Sequence, residues 1–414
     1  MPILRVSARI GLITSVLLIA APLKVAAQEL TLAETERLAL EHAPWYAHHR
    51  ANVDAAAERA VYEGRLPDPQ LTLGYVNVPT DTWKLDQEDM TMTMVGVRQS
   101  FPPYGALDAR TRRAERTVAR ERARLETERA NLMRQVRGVW YELYYATQGQ
   151  ILLAATRALA VRDLEAAEGR FRAAQDSPRA VLRARQTVAR IDERTPMLHA
   201  AAERARASLA RWIPEHARDP LPDALPALPA PPPSFDAARH PETRAAQAEL
   251  EAMQAEVDMA RAEYRPGVML DLNYGRRRPM PDGAERPNTA TVMVTLDLPI
   301  FRSKRQDRKL AESQIKEAGA RLETEDKRRE LEAMYGAMRA EFEALDARVR
   351  VFEERLVPSL KRETEVTLVG FAREQVELRD ARMRQLDAEL ELLRLRVDRS
   401  KTQAELLYLT GEEP

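Results

Sequence analysis

The chain has 414 residues, and its 64 Lys and Arg residues balance its 64 Asp and Glu residues, so no basic excess predicts binding to nucleic acid. Charged residues make up 31% of the chain, aromatic residues 5%, and Gly occurs 15 times; this composition is typical of long helices and disfavours a compact α/β enzyme. Because the sequence has no Cys, we expect no disulfide, no thiolate metal site and no lipid-bearing N-terminal Cys.

The N-terminal residues 1–27 predict a cleaved signal peptide. Arg5 and Arg9 precede an apolar run over residues 10–22, and small residues at positions 25–27 suit cleavage. An uncleaved anchor is the less favoured alternative, because the run is shorter than the ~17–25 residues that usually span a bilayer. We identify no other transmembrane helix in the sequence, so a mature chain that enters a membrane would do so as β-strands.

The rest of the chain predicts two halves with the same order of elements. In the first half we predict a helix over 30–65, strands over 71–78 and 91–101, and an interrupted helix over 107–212. In the second half we predict a helix over 234–264, strands over 268–274 and 289–298, and a helix over about 303–409. The predicted domains are the signal peptide 1–27, a first repeat 28–213, a linker 214–233 and a second repeat 234–414.

The Pro-rich segment 214–233 separates the halves, because each Pro lacks an N–H and clashes with a preceding helical turn. Equivalent residues support the repeat. Pro67, Leu71, Leu73 and Tyr75 precede Pro266, Leu270, Leu272 and Tyr274 by 199 residues, and Val95, Val97, Pro102, Ala114 and Glu115 precede Val292, Val294, Pro299, Ala311 and Glu312 by 197. The pattern indicates two copies of one supersecondary unit.

The long helical segments carry apolar or small residues at alternating steps of 3 and 4, which is typical of coiled coils. One seam runs from Val188 to Trp212 and another from Leu386 to Leu407, with Pro196 inside the first seam and expected to kink it. Reversals near 174–178 and 370–375 would make each segment a hairpin, whose first arm of about 70 residues extends roughly 100 Å at ~1.5 Å per residue. A conventional antiparallel bundle stays open as an alternative.

The third and fourth predicted strands alternate apolar and polar residues. With the apolar side chains outward, Asp271, Asn273 and Asp297 would face water inside a membrane barrel. A half-buried sheet in a soluble domain gives the same alternation. Four strands are too few to close a membrane barrel, so strands in lipid would require several protomers, with the polar loops 79–89 and 276–288 at the outer surface.

This order of elements resembles the TolC-like outer-membrane efflux protein family over nearly the whole mature chain. The most specific similarities are QSFPPYGALDARTRRAE (99–115) with its counterpart LPIFRSKRQDRKLAE (298–312), FRAAQDSPRAVLRAR (171–185) and ELLYLTG (405–411). The resemblance implies a mainly α fold with long coiled-coil hairpins and four transmembrane β-strands per protomer. It also implies a homotrimer in outer-membrane lipid, with a twelve-stranded barrel and an α-helical tunnel in the periplasm.

Two segments, LPDPQLTLGYVNVPTDT (66–82) and QEDMTMTMVGVRQSFP (87–102), are similar to the cobalt-zinc-cadmium and copper-silver efflux branch of that family. The implied function is the exit duct of a tripartite pump for heavy-metal cations. Its partners would be a periplasmic adaptor (membrane fusion) protein and an inner-membrane resistance-nodulation-division transporter. A duct for drugs or other organic molecules and a soluble periplasmic coiled-coil scaffold or adaptor remain the alternatives.

Family members close the periplasmic end of the tunnel with acidic residues on the second hairpin. The matching stretch VELRD places Glu377 and Asp380 on one helical face, where they would line a constriction. The approach to this stretch is about three residues shorter than in the family, and Glu374 replaces the usual Gly. An ordinary solvated helix face is the alternative interpretation.

Met90, Met92 and Met94 recur at every second position of the second predicted strand. Thioethers suit Cu(I), but period-2 apolar spacing is also typical of a strand that faces lipid or a neighbouring strand. We favour the apolar interpretation and predict no metal site. The sequence has no GxSxG, HExxH or Gly-rich phosphate loop, so we expect no catalytic residue and no bound cofactor.

Overall fold

A computed structural model describes residues 29–369 and 375–411. The predicted signal peptide and most of the predicted second reversal, 370–374, lie outside these ranges. The described helices are α1 (Leu32–His42), α2 (Pro44–Glu63), α3 (Ala106–Arg172), α4 (Pro178–Leu209), α5 (Pro241–Ala262), α6 (Gln306–Val351), α7 (Val357–Val369) and α8 (Gln375–Thr410). The described strands are β1 (Gln70–Val76), β2 (Met92–Phe101), β3 (Gly267–Arg276) and β4 (Thr289–Asp297). The fold is therefore mainly helical with one small sheet, as the sequence predicted.

The first predicted helix, over 30–65, is two helices. The hydroxyl of Thr31 caps α1 by accepting a hydrogen bond from the Glu34 N–H at 3.2 Å. Ala43 then adopts an extended conformation with ψ 109°, because a residue before Pro is disfavoured in the α region. Pro44 starts α2, where its missing N–H costs nothing. The prediction of one continuous helix was therefore wrong at the Ala43–Pro44 step.

The second half also departs from the predicted boundaries. The helix predicted from residue 234 begins at Pro241, after a short 3₁₀ turn (Ala237–Arg239) and the capping residue His240. The helix predicted from about residue 303 begins at Gln306 and is interrupted by a π turn over Phe352–Leu356. Pro358 lies just beyond that turn and cannot donate the next helical hydrogen bond, so a wider turn before it removes the clash.

The first hairpin is asymmetric. Helix α3 has 67 residues, which extends about 100 Å at ~1.5 Å per residue, and α4 returns over 32 residues. The chain reverses at Ala174, which has a positive φ of 57°, and the Gln175 N–H closes the turn on the Arg170 carbonyl at 2.8 Å. The predicted reversal at 174–178 is thus confirmed. Helix α4 continues through Pro196 without an assigned break.

The main helical core lies where α3 packs against α1, α4 and α8. Trp140 and Tyr141 are fully buried there, and the Trp140 Nε1–H donates to the Leu30 carbonyl at 2.9 Å. Most residues of the two predicted seams are buried, namely Ile191, Ala202, Ala205, Leu209, Trp212, Leu386, Val397, Ser400, Ala404 and Leu407. The coiled-coil periodicity therefore marked the packed faces correctly.

The segment 214–233 lies along the helices as an ordered strap. The Leu30 N–H donates to the Pro220 carbonyl at 2.8 Å, and the Tyr144 hydroxyl donates to the Asp223 carbonyl at 2.8 Å. Further along, the Gln403 amide donates to the Pro229 carbonyl at 2.8 Å. Because buried backbone carbonyls need hydrogen-bond donors, the Leu30 N–H and side chains of α3 and α8 supply donors to the carbonyls of the strap.

The four strands form one antiparallel sheet in the order β1-β2-β3-β4, so β1 and β4 are its edges. The two hairpins have equivalent registers. Leu71 pairs with Val97 and Leu73 with Val95 in the first hairpin, and Leu270 pairs with Val294 and Leu272 with Val292 in the second. These are the residues that the 199- and 197-residue offsets matched, so the repeat extends to the pairing of individual residues.

Candidate channel-lining and gate sites

One face of the sheet carries a continuous band of exposed apolar side chains. Directly paired residues of antiparallel strands share a face, so the register joins the apolar positions of all four strands. Exposed members of the band are Leu71, Leu73, Tyr75, Val95, Val97, Leu272, Tyr274, Val292, Val294 and Leu296. Leu73 is 68% exposed and Val292 is 69% exposed, which is the arrangement of a surface that is not meant to meet water.

The three predicted channel-lining residues share the opposite face. Asp271 pairs with Met293 across β3 and β4, Asn273 with Thr291, and Gly267 with Asp297. The structure therefore brings Asp271, Asn273 and Asp297 together on one polar face, although their environments differ.

Asp271 is only 7% exposed and forms an ion pair with Arg98 of β2, with 2.5 Å between Oδ1 and Nε. This partner was not predicted from the sequence. Arg98 is a charged residue in β2 and is offset by an odd number of positions from Val95 and Val97, which was a usable signal for a charge on the polar face. Because Asp271 is neutralised by Arg98, it does not present a free carboxylate.

Asn273 lies across Gly96 of the neighbouring strand. A Cβ at Gly96 would be 2.0 Å from the Asn273 Oδ1, so any larger residue at position 96 would force this amide to move. Asp297, at the end of β4, is exposed and lines a cavity near the start of α6. At this position the polar face pairs a small residue of β2 with a longer polar residue of β3.

The structure places Met92 and Met94 on this polar face, because they pair with Val76 and Gly74 and alternate with Thr93 and Val95. Met92 packs over Gly275, and its Sδ accepts a hydrogen bond from the Thr289 hydroxyl at 3.6 Å. Contact with neighbouring strands therefore describes Met92 correctly, whereas a place in the apolar band does not. Met90 precedes β2 and is 55% exposed, so the three Met residues do not form one stripe.

The loops that connect β1 to β2 and β3 to β4 are held together by Arg286. Its Nη1 donates to the Glu88 carbonyl and its Nη2 to the Asp86 carbonyl, each at 2.6 Å. The Arg286 side chain is 5% exposed, and Asp89 lies 3.6 Å from its Nε. This contact was not predicted, since no sequence spacing relates the two loops.

The predicted gate residues Glu377 and Asp380 lie in the first turns of α8, and both are exposed. Neither makes an ion pair or side-chain hydrogen bond within residues 29–369 and 375–411. Leu378 and Ala381, at 3% and 1% exposure, fix this part of the helix against its neighbours. The structure therefore holds, on an anchored helix end, two carboxylates that have no partner among the described residues.

Arg379, between these acids, is 4% exposed, and its Nη1 and Nη2 have no hydrogen-bond partner in the described part of the chain. Burial lowers the pKa of the Arg379 guanidinium, while nearby Asp163 acts in the opposite direction. Arg379 was not predicted, yet it stands seven residues, or one heptad, before Leu386 and so lies on the continuation of the predicted seam.

Ion pairs connect the two hairpins above this end. Arg382 of α8 pairs with Asp163 of α3, and Asp387 of α8 pairs with Arg194 of α4. On the other side, Arg384 pairs with Glu363 of α7 at 2.6 Å. These contacts fix α8 relative to both neighbouring arms, so Glu377 and Asp380 belong to an end whose position depends on charge pairing.

Among the described residues, no group of three or more His, Cys, Asp or Glu side chains is arranged to hold a metal ion. No helix in the described ranges is long and apolar enough to cross a membrane.

The family model for outer membrane efflux proteins matches residues 36–213 and 236–412 of this chain. The chain therefore belongs to the outer membrane efflux protein family. It is a non-enzymatic outer-membrane efflux channel protein with a periplasmic helical extension.

Solved structures of such channels share the fold. The chain is similar to CusC, with a TM-score of 0.77, 15% identity and 93% of each chain covered. It is also similar to VceC from Vibrio cholerae, with a TM-score of 0.74, 16% identity and coverage of 92% of this chain and 96% of that one. The MtrE channel of Neisseria gonorrhoeae gives a TM-score of 0.73 at 18% identity, covering 92% and 89%. No curated protein sequence gives a significant match.

Proposed function

We propose that this chain forms a homotrimeric exit duct of a tripartite efflux system, in which three four-stranded sheets close a twelve-stranded barrel. The observation that carries the proposal is a sheet with one exposed apolar face, one polar face and two free edges, joined to long helices of which α3 extends about 100 Å. A sheet of this kind buries neither its apolar face nor its edges within one protomer.

The free edges favour closure by other copies of the chain. Edge strands expose unpaired N–H and C=O groups, which lipid cannot satisfy. β4 has nine residues and is exposed over nearly its whole length, so its edge is available to β1 of the next protomer. Three copies would give twelve strands with no remaining edge, with the apolar band in contact with outer-membrane lipid.

The helices would continue the duct into the periplasm. There it would meet a periplasmic adaptor (membrane fusion) protein and an inner-membrane resistance-nodulation-division transporter, as the family resemblance implies. The transporter would supply the energy, because the sequence has no nucleotide-binding loop.

Glu377 and Asp380 would form the periplasmic gate. Three copies of this exposed pair would place six carboxylates around the axis, which would attract cations and repel one another. The ion pairs that hold α8 would oppose this repulsion and keep the resting gate narrow.

The gate assignment has a matched control within the chain. Replacing Glu377 and Asp380 with Ala should raise single-channel conductance in planar bilayers and reduce cation selectivity, because both charge and side-chain bulk leave the constriction. Glu323 and Asp326 on α6 are also exposed, three residues apart and without partners in the described ranges, so their double Ala variant should conduct like the wild type. If the wild type and both double variants had the same conductance, Glu377 and Asp380 would belong to an ordinary solvated helix face and not to a gate.

The proposed cargo is heavy-metal cations, on the resemblance of segments 66–82 and 87–102 to metal-efflux channels. The Arg98–Asp271 ion pair is consistent with passage of cations without tight binding, because it removes a free carboxylate from the polar face. Drugs or other organic molecules are the second candidate cargo, since a wide aqueous duct selects weakly. Deleting the gene should sensitise cells to cobalt, zinc, cadmium, copper or silver salts; sensitivity to organic compounds alone would select the second candidate.

Membrane fractionation followed by gel migration with and without heating tests the duct itself. We expect a heat-sensitive trimer in the outer-membrane fraction, which releases monomer after boiling. A periplasmic species that is soluble without detergent would instead support a coiled-coil scaffold or adaptor and exclude the barrel.

A further inference from the structure

The turn that follows β4 exposes three large apolar side chains in succession. Leu298 is 65% exposed, Ile300 72% and Phe301 71%. Tyr104, in the equivalent turn after β2, is 82% exposed. These side chains extend the apolar band of the sheet to the point where the chain passes from strand to helix.

A dense group of cations follows directly. Residues 302–309 contain five Lys or Arg residues and one Asp, a net charge of +4 in eight residues. Lys304, Arg305 and Arg308 are exposed, and their side chains make no ion pair or hydrogen bond to any described residue. We call residues 298–309 the basic turn.

These unpaired cations differ from those of the neighbouring helix. Later cations of α6 pair with acids one turn away, such as Lys316 with Glu312 at 2.6 Å and Arg321 with Glu317 at 2.7 Å. The acid within the basic turn, Asp307, instead accepts a hydrogen bond from the Tyr264 hydroxyl at 2.6 Å. Among the described residues, Lys309 pairs with Glu263, and the other four cations of the basic turn have no ion pair.

A cavity of about 430 Å³ opens beside the basic turn. Arg265 and Arg305 contribute positive charge to its wall, and Ile300 and Phe301 contribute apolar surface. Its two acidic lining residues are Glu263, which is paired with Lys309, and Asp297 at the end of β4. The site thus combines cations with an apolar wall, which is the chemistry of a surface that receives both the phosphate and the upper acyl part of a lipid.

The corresponding turn of the first repeat is less suited to this role. Its matching residues, 101–112, contain two cations, Arg110 and Arg112, and one acid, Asp108, a net charge of +1. The two halves share their order of elements, but the first turn carries far less positive charge than the +4 of residues 302–309. The second turn alone combines exposed apolar residues with three unpaired cations.

We propose that the basic turn binds the phosphate headgroups of anionic phospholipids at the periplasmic boundary of the outer membrane. Lys304, Arg305 and Arg308 contact the phosphates. Ile300 and Phe301 insert between the lipid headgroups and the upper part of the acyl chains. The proposal rests on the proposed function, because β4 must cross the membrane for the turn to reach its periplasmic surface.

The test uses the full-length trimer in nanodiscs that contain equal amounts of phosphatidylcholine and phosphatidylglycerol, followed by native mass spectrometry of the lipids retained after extraction. The wild type should retain phosphatidylglycerol preferentially. The triple variant Lys304→Gln, Arg305→Gln, Arg308→Gln should lose this preference by about tenfold or more, since each cation near an anionic surface contributes on the order of fivefold. Arg179→Gln, Arg190→Gln, Arg355→Gln makes the same charge change at exposed, unpaired cations of the helices and should retain the preference.

Two results would overturn the proposal. One is equal retention of both lipids by the wild-type trimer. The other is a triple variant whose trimer has a lower dissociation temperature than the wild type, by the same amount in phosphatidylcholine alone as in the mixture. The cations would then contact a neighbouring protomer and not lipid phosphates. Failure of the proposed function would look different, because the wild-type chain would form no trimer in either lipid.

Discussion

The sheet and the helical core of this protein treat large apolar side chains in opposite ways. In the core, Trp140 and Tyr141 are fully buried between helices. In the sheet, Leu73 and Val292 are more than two-thirds exposed although they lie in regular, paired strands. In water the hydrophobic effect favours the burial of Trp140 and Tyr141, but it disfavours the exposure of Leu73 and Val292. The two regions are therefore built for different surroundings.

Exposure alone does not distinguish the sheet from the helices, because Ile315 and Leu322 of α6 are each 72% exposed as well. The difference is continuity. The helix positions are separated by charged neighbours, whereas the strand register joins the sheet positions into one band across four strands. Scattered apolar residues are normal on protein surfaces, and a continuous band indicates lipid or a partner.

The largest expected effect is in the core. Replacing Trp140 with Ala removes a fully buried ring and leaves the Leu30 carbonyl without its donor, which should cost about 3–5 kcal/mol of unfolding free energy. Trp83 in an outer loop is 73% exposed, so its replacement with Ala should change stability by less than about 0.5 kcal/mol. Denaturant unfolding in mild detergent measures both; equal losses would mean that the core assignment is wrong.

A charge on the sheet tests what surrounds the apolar band. Leu272→Arg should destabilise the membrane-inserted protein by about 2–4 kcal/mol and lower its outer-membrane yield, because it places a cation in lipid. Leu322→Arg makes the same change at a position that is 72% exposed on α6 and should stay within about 0.5 kcal/mol of the wild type. If the two variants behaved alike, the sheet would be an ordinary solvated surface.

A smaller effect is expected from pH at the junction of strap and second repeat. His240 is 1% exposed, its Nδ1 accepts the Glu242 N–H at 3.2 Å, and burial lowers its pKa below the ordinary 6.5. The unfolded chain binds a proton more readily than the folded one, so His240 should reduce stability as the pH falls below about 6.5, towards its folded pKa. The groups around His240 are Glu242, Arg244, Lys327 of α6, Arg134 of α3 and Tyr408 of α8.

His240→Asn keeps a capping side chain but cannot titrate. Lowering the pH from 7.5 to 5.5, on either side of the ordinary His pKa, should lower the melting temperature of both proteins. The decrease should be a few degrees smaller for the variant than for the wild type. The same pH slope in both proteins would assign the acid sensitivity to other groups.

The most successful predictions from the sequence were those that depend on the periodicity of strands and helices. The alternation in β3 and β4 predicted which residues share a face, and the steps of 3 and 4 around Ile191 and Leu386 predicted the buried seams. Both patterns are local, because a strand repeats every 2 residues and a helix every ~3.6. The family resemblance added the fold, which the structure and the family match confirm.

Contacts between segments that are distant in the chain could not be predicted from the sequence. The pairing of Arg98 with Asp271 depends on the register of β2 against β3, which no single strand encodes. Met92 lies over Gly275 because that Gly leaves room for it, so a residue that appears lipid-facing from its own strand is placed by its neighbour. Pro effects were mixed: Pro44 broke a predicted helix, whereas α4 accommodates Pro196.

Cysteine labelling of two adjacent residues of β3 tests the central claim most directly. The chain has no Cys, so each substitution adds a single reporter. With the trimer reconstituted in lipid vesicles, a water-soluble maleimide should label Asn273→Cys, on the polar face, and should leave Leu272→Cys, in the apolar band, unlabelled until detergent is added. Equal labelling of both positions before detergent would contradict a sheet that separates lipid from an aqueous channel.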